Sequence, residues 1–155
     1  MQGPYTVRVA AGPQDLDACF AVRKEVFVAE QEVPEDIEYD SYDRTAVHVL
    51  ALSGDGTALG TGRLLHGADA LGKTGAGPDV GSLGRLAVSA AARGLGVGTA
   101  LVRGIEDAAR ERGLTAIDLH AQTHALGFYE RLGYEVYGPV FLDAGIEHRA
   151  MRRAL

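Results

Sequence analysis

The stretch Arg93-Gly94-Leu95-Gly96-Val97-Gly98 decides the fold, because it joins two segments whose apolar residues follow different periods. The preceding segment, Leu83–Val88, is a short apolar run interrupted by Arg85, which predicts a β-strand. The following segment, residues 96–112, predicts an amphipathic helix that stops at Gly113. Its apolar face consists of Val97, Leu101, Ile105 and Ala108.

Glycines in a turn from a strand into a helix favour the binding of an anion. Gly96 and Gly98 let backbone N–H groups approach a ligand closely, and the helix dipole favours phosphate at the first turn. Arg93 adds a positive charge at the edge of this nest. The stretch therefore predicts a phosphate cradle, and a glycine-rich turn without a ligand is the alternative.

Two other phosphate motifs fit the glycines less well. The letters of Gly67-x-x-x-x-Gly72-Lys73-Thr74 match a P-loop, but the next residues, Gly75-Ala76-Gly77-Pro78, cannot begin the helix that a P-loop needs. We therefore expect residues 67–81 to form a loop. A dinucleotide-binding turn, G-x-G-x-x-G, also fails, because Thr99 or Leu101 stands where its last glycine is required.

Length and composition predict a single soluble domain that covers residues 1–155. Apolar residues make up 46% and charged residues 23%, and no stretch is apolar for long enough to cross a membrane. The N-terminus lacks the features of a signal peptide, so we expect a cytoplasmic protein. The net charge of -6 argues against nucleic-acid binding and fits a cationic substrate. The lone cysteine, Cys19, excludes a disulfide framework and a cysteine zinc cluster, and we predict no metal site.

The remaining segments predict strands and helices that follow one another along the chain. An acidic, irregular segment that contains Pro34, Glu30–Asp43, separates a helix opened by Pro13 from a hairpin of two strands. Strands are predicted at Tyr5–Ala10, Ala46–Leu52, Ala58–His66, Thr115–Ala121, Tyr134–Tyr137, Val140–Leu142 and His148–Met151, with a last helix at Ala125–Leu132. This order predicts a layered α/β (α+β) fold built on one sheet.

Two spaced motifs resemble those of the GNAT acyltransferase superfamily. Leu86-Ala87-Val88 followed by Arg93–Leu101 looks like the central acyl-CoA motif of that superfamily. Ala125–Tyr134, which contains Phe128-Tyr129, resembles the second motif, whose usual form is A-x-x-F-Y-x-x-x-G-F. Their order and separation are typical, which makes the pair much more specific than either motif alone.

The chain resembles one branch of this superfamily, the ElaA-like branch, more closely. Arg23–Gln31 fits its N-terminal helix pattern, R-x-x-V-F-V-x-E-Q. The pattern continues through Pro34, Asp40, Asp43, His48, His120-Ala121-Gln122 and Gly145-Ile146-Glu147-His148-x-x-Met151. The resemblance therefore covers nearly the whole chain.

This resemblance implies a mixed, mostly antiparallel central sheet flanked by helices, and the direct transfer of an acetyl group from acetyl-CoA to an amine. The acceptor would be a small molecule or a peptide, and a homodimer is left open. The strand at Leu86–Val88 would be distorted, so that free backbone groups bind the pantetheine arm and polarise the thioester. The residues assigned to acetyl-CoA are Leu86, Ala87, Val88, Arg93, Gly94, Leu95, Gly96, Val97, Gly98, Thr99, Gln122, Phe128 and Tyr129.

A few ionisable residues are candidates for proton transfer. Tyr129 falls on the tyrosine of the second motif and is the candidate general acid, because a phenol is protonated at neutral pH and can protonate a thiolate. His48 or His120, both in strands, could serve as the general base. Glu38 and Asp40 could hold a cationic amine or relay its proton. The alternatives are packing for Tyr129, a core position for each histidine, and a solvated loop for the carboxylates.

Two rival functions are left open by the sequence. A non-catalytic acyl-CoA-binding module would keep the cradle without the chemistry, and a P-loop protein would bind a nucleotide through Lys73. Glu30, at the end of the first helix, is a further acidic candidate for the acceptor site. Cys19, among apolar neighbours on the same helix, is predicted to belong to the core.

Overall fold

A seven-stranded sheet forms the centre of the fold. The computed structural model describes residues 5–75 and 77–155, apart from the side chains of Asp36 and Ile37. The strands are β1 (Tyr5–Val9), β2 (Val47–Ser53), β3 (Ala58–Leu65), β4 (Val80–Val88), β5 (Ala116–Gln122), β6 (Glu135–Asp143) and β7 (Ile146–Ala154). They lie in the order β1-β2-β3-β4-β5-β7-β6, and every neighbouring pair is antiparallel except β4 and β5, which are parallel.

Helices pack on both faces of this sheet. The α-helices are α1 (Gly12–Arg23), α2 (Glu35–Glu38), α3 (Ala68–Thr74), α4 (Val97–Glu111) and α5 (Leu126–Arg131). Gly60 and Gly62 of β3 face α4. On the opposite face, Thr61 and Cys19 of α1 both hydrogen-bond the carbonyl oxygen of Val49, as the alternation of side chains along a strand requires. Cys19 is fully buried there, which confirms its predicted place in the core.

α4 lies directly against the backbone of β3. A Cβ atom on Gly60 would lie 2.8 Å from Leu101 Cδ1, and one on Gly62 would lie 2.7 Å from Ile105 Cδ1. Packed carbon atoms do not approach so closely, so these two glycines set the distance between the helix and the sheet. The predicted amphipathic helix is confirmed, and the predicted mixed, mostly antiparallel sheet flanked by helices is confirmed with it.

The helix α1 continues with a different pitch. Lys24–Glu30 form a π-helix, in which the N–H of each residue bonds the carbonyl group five residues before it. Its last such bond joins Gln31 N to Val26 O at 3.0 Å. The acidic segment Glu30–Asp43, predicted to be irregular, follows and contains the short helix α2. None of the described helices is long and apolar enough to cross a membrane.

The prediction that residues 67–81 form a loop is wrong, because Ala68–Thr74 form α3. Ala70 is buried beneath this helix, and Gly75 ends it in the left-handed conformation, with φ 64°. Lys73 therefore lies in the last turn of a helix, whereas a P-loop places its lysine at the first turn. The P-loop hypothesis is wrong for this reason. Ala76, which follows the P-loop-like residues, lies outside the described residues. Residues 1–4, the start of the N-terminus that lacks the features of a signal peptide, lie outside them as well.

Two segments predicted as separate strands, Tyr134–Tyr137 and Val140–Leu142, belong to the single strand β6. The register with β7 shifts between Tyr137 and Phe141. Pro139 lies within this irregular part and has no N–H group to donate, which explains why the pattern reads as two strands.

Candidate active site between two diverging strands

The site begins where β4 and β5 separate. Their parallel pairing runs from Val80 and Ala116 to Leu83 and Leu119, and it ends there. Beyond Leu83, the edge of β4 that faces β5 has no strand partner among the described residues. The backbone groups of this edge are therefore available to a ligand.

A β-bulge in β4 accompanies this separation. Thr61 and Arg63 of β3 pair with Ala87 and Gly84, so two residues of β4 lie opposite one residue of β3. Arg85 lies in the bulge with φ 51°, a left-handed conformation that few residues other than glycine adopt. The family resemblance implied a distortion at residues 86–88, and the structure places its strained residue just before them.

A cavity of about 290 Å³ lies at this opening. Residues of β4 and β5 line it, and so do Phe128 and Tyr129 of α5. Its lining also includes charged and histidine side chains, which are Glu38, Arg63, Lys73, Arg85, His120, His124, Asp143 and His148. Aromatic and ionisable side chains therefore share the cavity where the two strands part.

A second cavity, of about 220 Å³, lies at the start of α4. Gly94 and Gly96 there have φ of 84° and 80°, a conformation that glycine adopts without strain. No side chain caps the helix, and its first internal bond runs from Ala100 N to Gly96 O. The N–H groups of the first turn are therefore left for a ligand. Residues 93–94 and 96–99 line this cavity, and Phe128 lines both cavities, which therefore lie next to each other.

Arg93 at the edge of the cradle is already paired. Its Nη1 and Nη2 donate to the carboxylate of Glu30 at 2.8 and 2.6 Å, and its Nε donates to Val88 O at 3.2 Å. The hydrogen bond from Arg93 lowers the pKa of Glu30. Glu25, on the same π-helix, accepts a hydrogen bond from Ala90 N at 3.0 Å. Glu30 therefore orders the loop before α4, and its predicted place at the acceptor site is not what these contacts favour.

Tyr129 is buried on α5 and lines the larger cavity. Its ring packs edge-to-face against Phe128 and Tyr134, with centroids 4.9 and 5.9 Å away. Burial raises the pKa of Tyr129, so the phenol stays protonated at neutral pH. The described residues include no hydrogen-bond partner for its hydroxyl group, which is thus not committed to the protein.

His120 lines the same cavity from β5. Its Nε2 lies 3.9 Å from Oδ1 of the buried Asp118, and its ring packs edge-to-face on Phe141. Burial lowers the pKa of His120, although the charges of Asp118 and Asp143 act to raise it. The imidazole is therefore neutral at neutral pH and can accept a proton.

His148 is a residue of the cavity that the sequence analysis did not single out as a base. It lies opposite Gln122 in the β5–β7 pairing, and its Nδ1 donates to Ile146 O at 2.7 Å. Its ring stacks on Phe141 with centroids 5.9 Å apart. Its position near His120 in three dimensions depends on the strand register, which no local pattern in the sequence reveals.

His48 is not among the residues that line the cavity. Its Nε2 donates to Asp43 O at 3.0 Å, and its ring packs against Phe20. The side chain is buried, and burial lowers the pKa of the ring. The alternative of a core histidine fits these contacts, so the hypothesis that His48 is the general base is not carried further.

Six charged residues form a closed ring of ion pairs, three members of which line the cavity, and we call it the charge ring. Its members are Arg23, Glu38, Asp40, Asp43, Arg63 and Arg85. Arg23 contacts Glu38 at 2.7 Å and Asp43 at 2.8 Å. Arg63 contacts Asp40 at 2.7 Å and Asp43 at 2.9 Å, and Arg85 contacts Asp40 at 3.2 Å. The three cations balance the three carboxylates.

The charge ring changes the predicted role of Glu38 and Asp40. Glu38 is about 2% exposed, and its Oε1 contacts both Arg23 and Arg85. Asp40 contacts Arg63 and Arg85. These carboxylates already have cationic partners, so the expectation that they hold a cationic amine is corrected: they position arginines.

Gln122, predicted to bind the cofactor, lies at the end of β5 and lines the larger cavity. Its Nε2 donates to Oε1 of Gln31 at 2.9 Å. Gln31 follows the π-helix and also lines the cavity. The hydrogen bond therefore joins the N-terminal helix to the second of the diverging strands.

Comparisons with known proteins agree with this arrangement. The profile of the acetyltransferase (GNAT) family matches residues 16–134. The uncharacterized N-acetyltransferase YjcF of Bacillus subtilis (strain 168) is 36% identical over 146 residues, which cover 94% of this chain and 96% of the relative. A solved acyl-CoA N-acyltransferase from Pseudomonas aeruginosa is 34% identical, with a TM-score of 0.80 over 97% of this chain and 98% of that one.

The structure of Escherichia coli ElaA is also similar, with 26% identity and a TM-score of 0.79 over 96% of this chain and 97% of that one. Fold and site together define an acyltransferase of the kind that uses an acyl-CoA. The chain belongs to the GNAT acetyltransferase family, and the similarity to ElaA confirms the branch that the sequence predicted.

The charge ring predicts a pH-dependent loss of stability when Asp43 becomes Asn. Burial acts to raise the pKa of Asp43, but Arg23 and Arg63 outweigh it and lower the pKa to about 2 from the usual 3.8. The carboxylate therefore stabilises the fold above pH 4, and this stabilisation is lost as the pH falls from about 4 to about 2. In urea titrations at pH 7, Asp43→Asn should lower the free energy of unfolding by about 3–5 kcal/mol, the usual cost of breaking a buried pair.

Asp107 provides the control, because it forms an exposed pair with Arg110 at 3.4 Å. Asp107→Asn should change stability little at any pH. The difference between Asp43→Asn and the wild type should shrink below pH 4. A difference that stays constant from pH 7 to pH 2.5 would contradict the role given to the charge ring.

Proposed function

We propose that the chain transfers an acetyl group from acetyl-CoA directly to an amine. The observation that carries the proposal is that two neighbouring cavities share Phe128 in their linings. One cavity has an uncapped helix start with glycines at positive φ, and the other brings Tyr129 and His120 to the opening between β4 and β5. Membership of the GNAT family supports an acyl-CoA as the donor.

The residues at this site fit such a donor. The N–H groups of Val97, Gly98 and Thr99 would hold the pyrophosphate, because no side chain caps the helix and the dipole favours anions. The free edge of β4, Leu86–Val88, would hold the pantetheine arm by backbone hydrogen bonds. Arg93, Gly94 and Leu95 form the loop before the helix. When bound, acetyl-CoA supplies an activated acyl group and a thiol leaving group.

Two side chains would move the protons. His120, neutral because burial lowers its pKa, accepts a proton from the amine nitrogen, directly or through one water. Tyr129, whose phenol is protonated at neutral pH, donates its hydroxyl proton to the departing sulfur. His148, on the neighbouring strand, is the alternative base. The acceptor is a small molecule or a peptide.

A non-catalytic acyl-CoA-binding module is the second candidate function. It would be favoured by stabilisation with acetyl-CoA and no release of CoA with any amine. The presence of Tyr129 and His120 on one cavity supports the enzyme over the module, because a binding protein needs neither group.

The cradle predicts that a bulky residue at position 96 abolishes binding of acetyl-CoA. Gly96 has φ 80°, and valine there would both strain the backbone and fill the space above the first turn. Acetyl-CoA should raise the Tm of the wild type, and ATP with Mg²⁺ should not, because a ligand of the native state stabilises it. Gly96→Val should lose this shift.

Gly56 provides the control, since it has φ 87° in the turn between β2 and β3 and nothing within 4 Å of its added Cβ. Gly56→Val should carry a similar strain and keep the full shift with acetyl-CoA. Stabilisation of the wild type by ATP alone would contradict the proposed function.

Removal of the Tyr129 hydroxyl should lower turnover and spare binding. General acid catalysis contributes about 10²-fold or more, so we expect Tyr129→Phe to reduce kcat by about that factor in a CoA-release assay. The thermal shift with acetyl-CoA should stay unchanged. Tyr39→Phe, whose hydroxyl bonds only Phe20 O among the described residues, should keep full activity. Full activity of Tyr129→Phe would remove this residue as the acid.

The assignment of His120 predicts an acid limb in the pH profile. Because burial lowers the pKa of His120, kcat should fall as the pH drops below 6.5 and the ring takes up a proton. His120→Gln should lower kcat and flatten this limb, measured with one amine in all variants. His66→Gln, outside the cavity, should keep it. An unchanged limb in His120→Gln would point to His148.

A further inference from the structure

Lys73 is a charged residue of the larger cavity that the proposed acetyl transfer does not use. It lies in the last turn of α3, and its ammonium nitrogen lies 5.1 Å from the centre of the Tyr42 ring. Asp143, at the end of β6, lines the same cavity. Among the described side chains, neither Lys73 nor Asp143 has an oppositely charged group within 4.0 Å. The cavity thus carries one cation and one anion that the protein does not neutralise.

The other charges at the cavity are neutralised within the charge ring. Glu38 and Arg63 are each about 2% exposed and contact ring members. Arg85 contacts Glu38 and Asp40. Lys73 and Asp143, both exposed to solvent, are therefore the charged side chains of the cavity that are left for a ligand.

Both charges act on His120. Burial is the largest cause of its lowered pKa; Asp143 acts to raise that pKa and Lys73 acts to lower it. The two opposite charges therefore lie near the residue that we assign as the base. An acceptor that spans them would lie in the same cavity as His120.

We infer that the acceptor carries an anionic group as well as its amine, with the anion bound by Lys73 and the ammonium group by Asp143. The inference rests on the proposed acetyl transfer and specifies its substrate class. It also replaces the simpler expectation of a cationic acceptor, since the carboxylates of the acidic segment are occupied by arginines. Free amino carboxylates and aminophosphonates both have the required chemistry.

The reaction balances with this acceptor. The bound ammonium group gives one proton to His120, which passes it to solvent. The N–C bond then forms and the C–S bond breaks. The nitrogen loses its second proton to solvent as the amide forms. Tyr129 gives a proton to the sulfur and regains one from solvent, so one proton is released in all. The anionic group of the acceptor is unchanged throughout.

The test compares acceptors that differ by one group. Release of CoA is measured with glycine, β-alanine, 4-aminobutyrate and 6-aminohexanoate, with the alkylamines of equal chain length, and with the matching aminophosphonates. For at least one chain length, an anionic member should have kcat/KM about tenfold above its alkylamine, which corresponds to one charge-assisted hydrogen bond. The carboxylate and phosphonate series show which anion is preferred.

Variants at Lys73 and Lys24 distinguish a specific contact with the acceptor from an effect of net charge. Lys73→Gln should lower kcat/KM of the anionic acceptors toward the alkylamine values, mainly through KM. Lys73→Glu should reverse the preference and favour diamines. Lys24, the other lysine, is exposed and lies 3.6 Å from Glu35, outside the cavity. Lys24→Gln therefore removes the same charge and should keep the wild-type preference.

Thermal shifts with bound CoA give a second measurement that does not need turnover. Anionic amines should raise the Tm of the CoA complex more than matched alkylamines do, in the wild type and in Lys24→Gln but not in Lys73→Gln. Stabilisation by CoA with no preference for anionic amines in either measurement would overturn this inference and leave acetyl transfer standing. Lack of stabilisation by both CoA and acetyl-CoA would overturn the proposed function and the inference with it.

Discussion

Arg85 keeps a left-handed backbone conformation in the middle of a strand, at a cost of about 1–2 kcal/mol for a residue with a side chain. Its guanidinium group offsets this cost, because Nε donates to Glu38 O at 3.1 Å and Nη2 donates to Asp40 at 3.2 Å. The bulge at Arg85 coincides with the parting of β4 from β5. The acidic segment before β2 therefore stabilises the opening at which the larger cavity lies.

The charge ring also shows that the carboxylates nearest the cavity form ion pairs within the protein. A net charge of -6 fits a protein that attracts cations, but the carboxylates nearest the cavity are paired with Arg23, Arg63 and Arg85. Buried pairs of this kind add little net stability and are costly to break. Their value here is geometric, since they fix the acidic segment against the sheet and leave the electrostatics of the cavity to a few other groups.

Much of the fold could be predicted because it follows from local patterns. The helix α4 has a clear period and glycines at both ends, and the cradle follows from that helix and the turn before it. The bulge at Arg85 could not be predicted, because it depends on residues 45 and 47 positions earlier in the chain. The helix α3 was not predicted, because the segment is rich in glycine and the helix is short. Its one buried residue, Ala70, leaves no apolar period to detect. The sequence places both His48 and His120 in strands and does not distinguish them. In the structure, α1 packs against His48 and makes it a core residue, whereas His120 lines the cavity.

The π-helix Lys24–Glu30 holds the loop that precedes α4 at two points. In an α-helix, side chains five positions apart point about 140° away from each other. The hydrogen bonds of a π-helix close five residues back, so Glu25 and Glu30 point in more similar directions. Both reach the same short loop: Glu25 binds its start at Ala90, and Glu30 binds its end at Arg93. The wider turn of this one segment thus acts as a spacer of fixed length, and removing a single residue from it would restore the tighter α-helical turn and detach one end of the glycine loop.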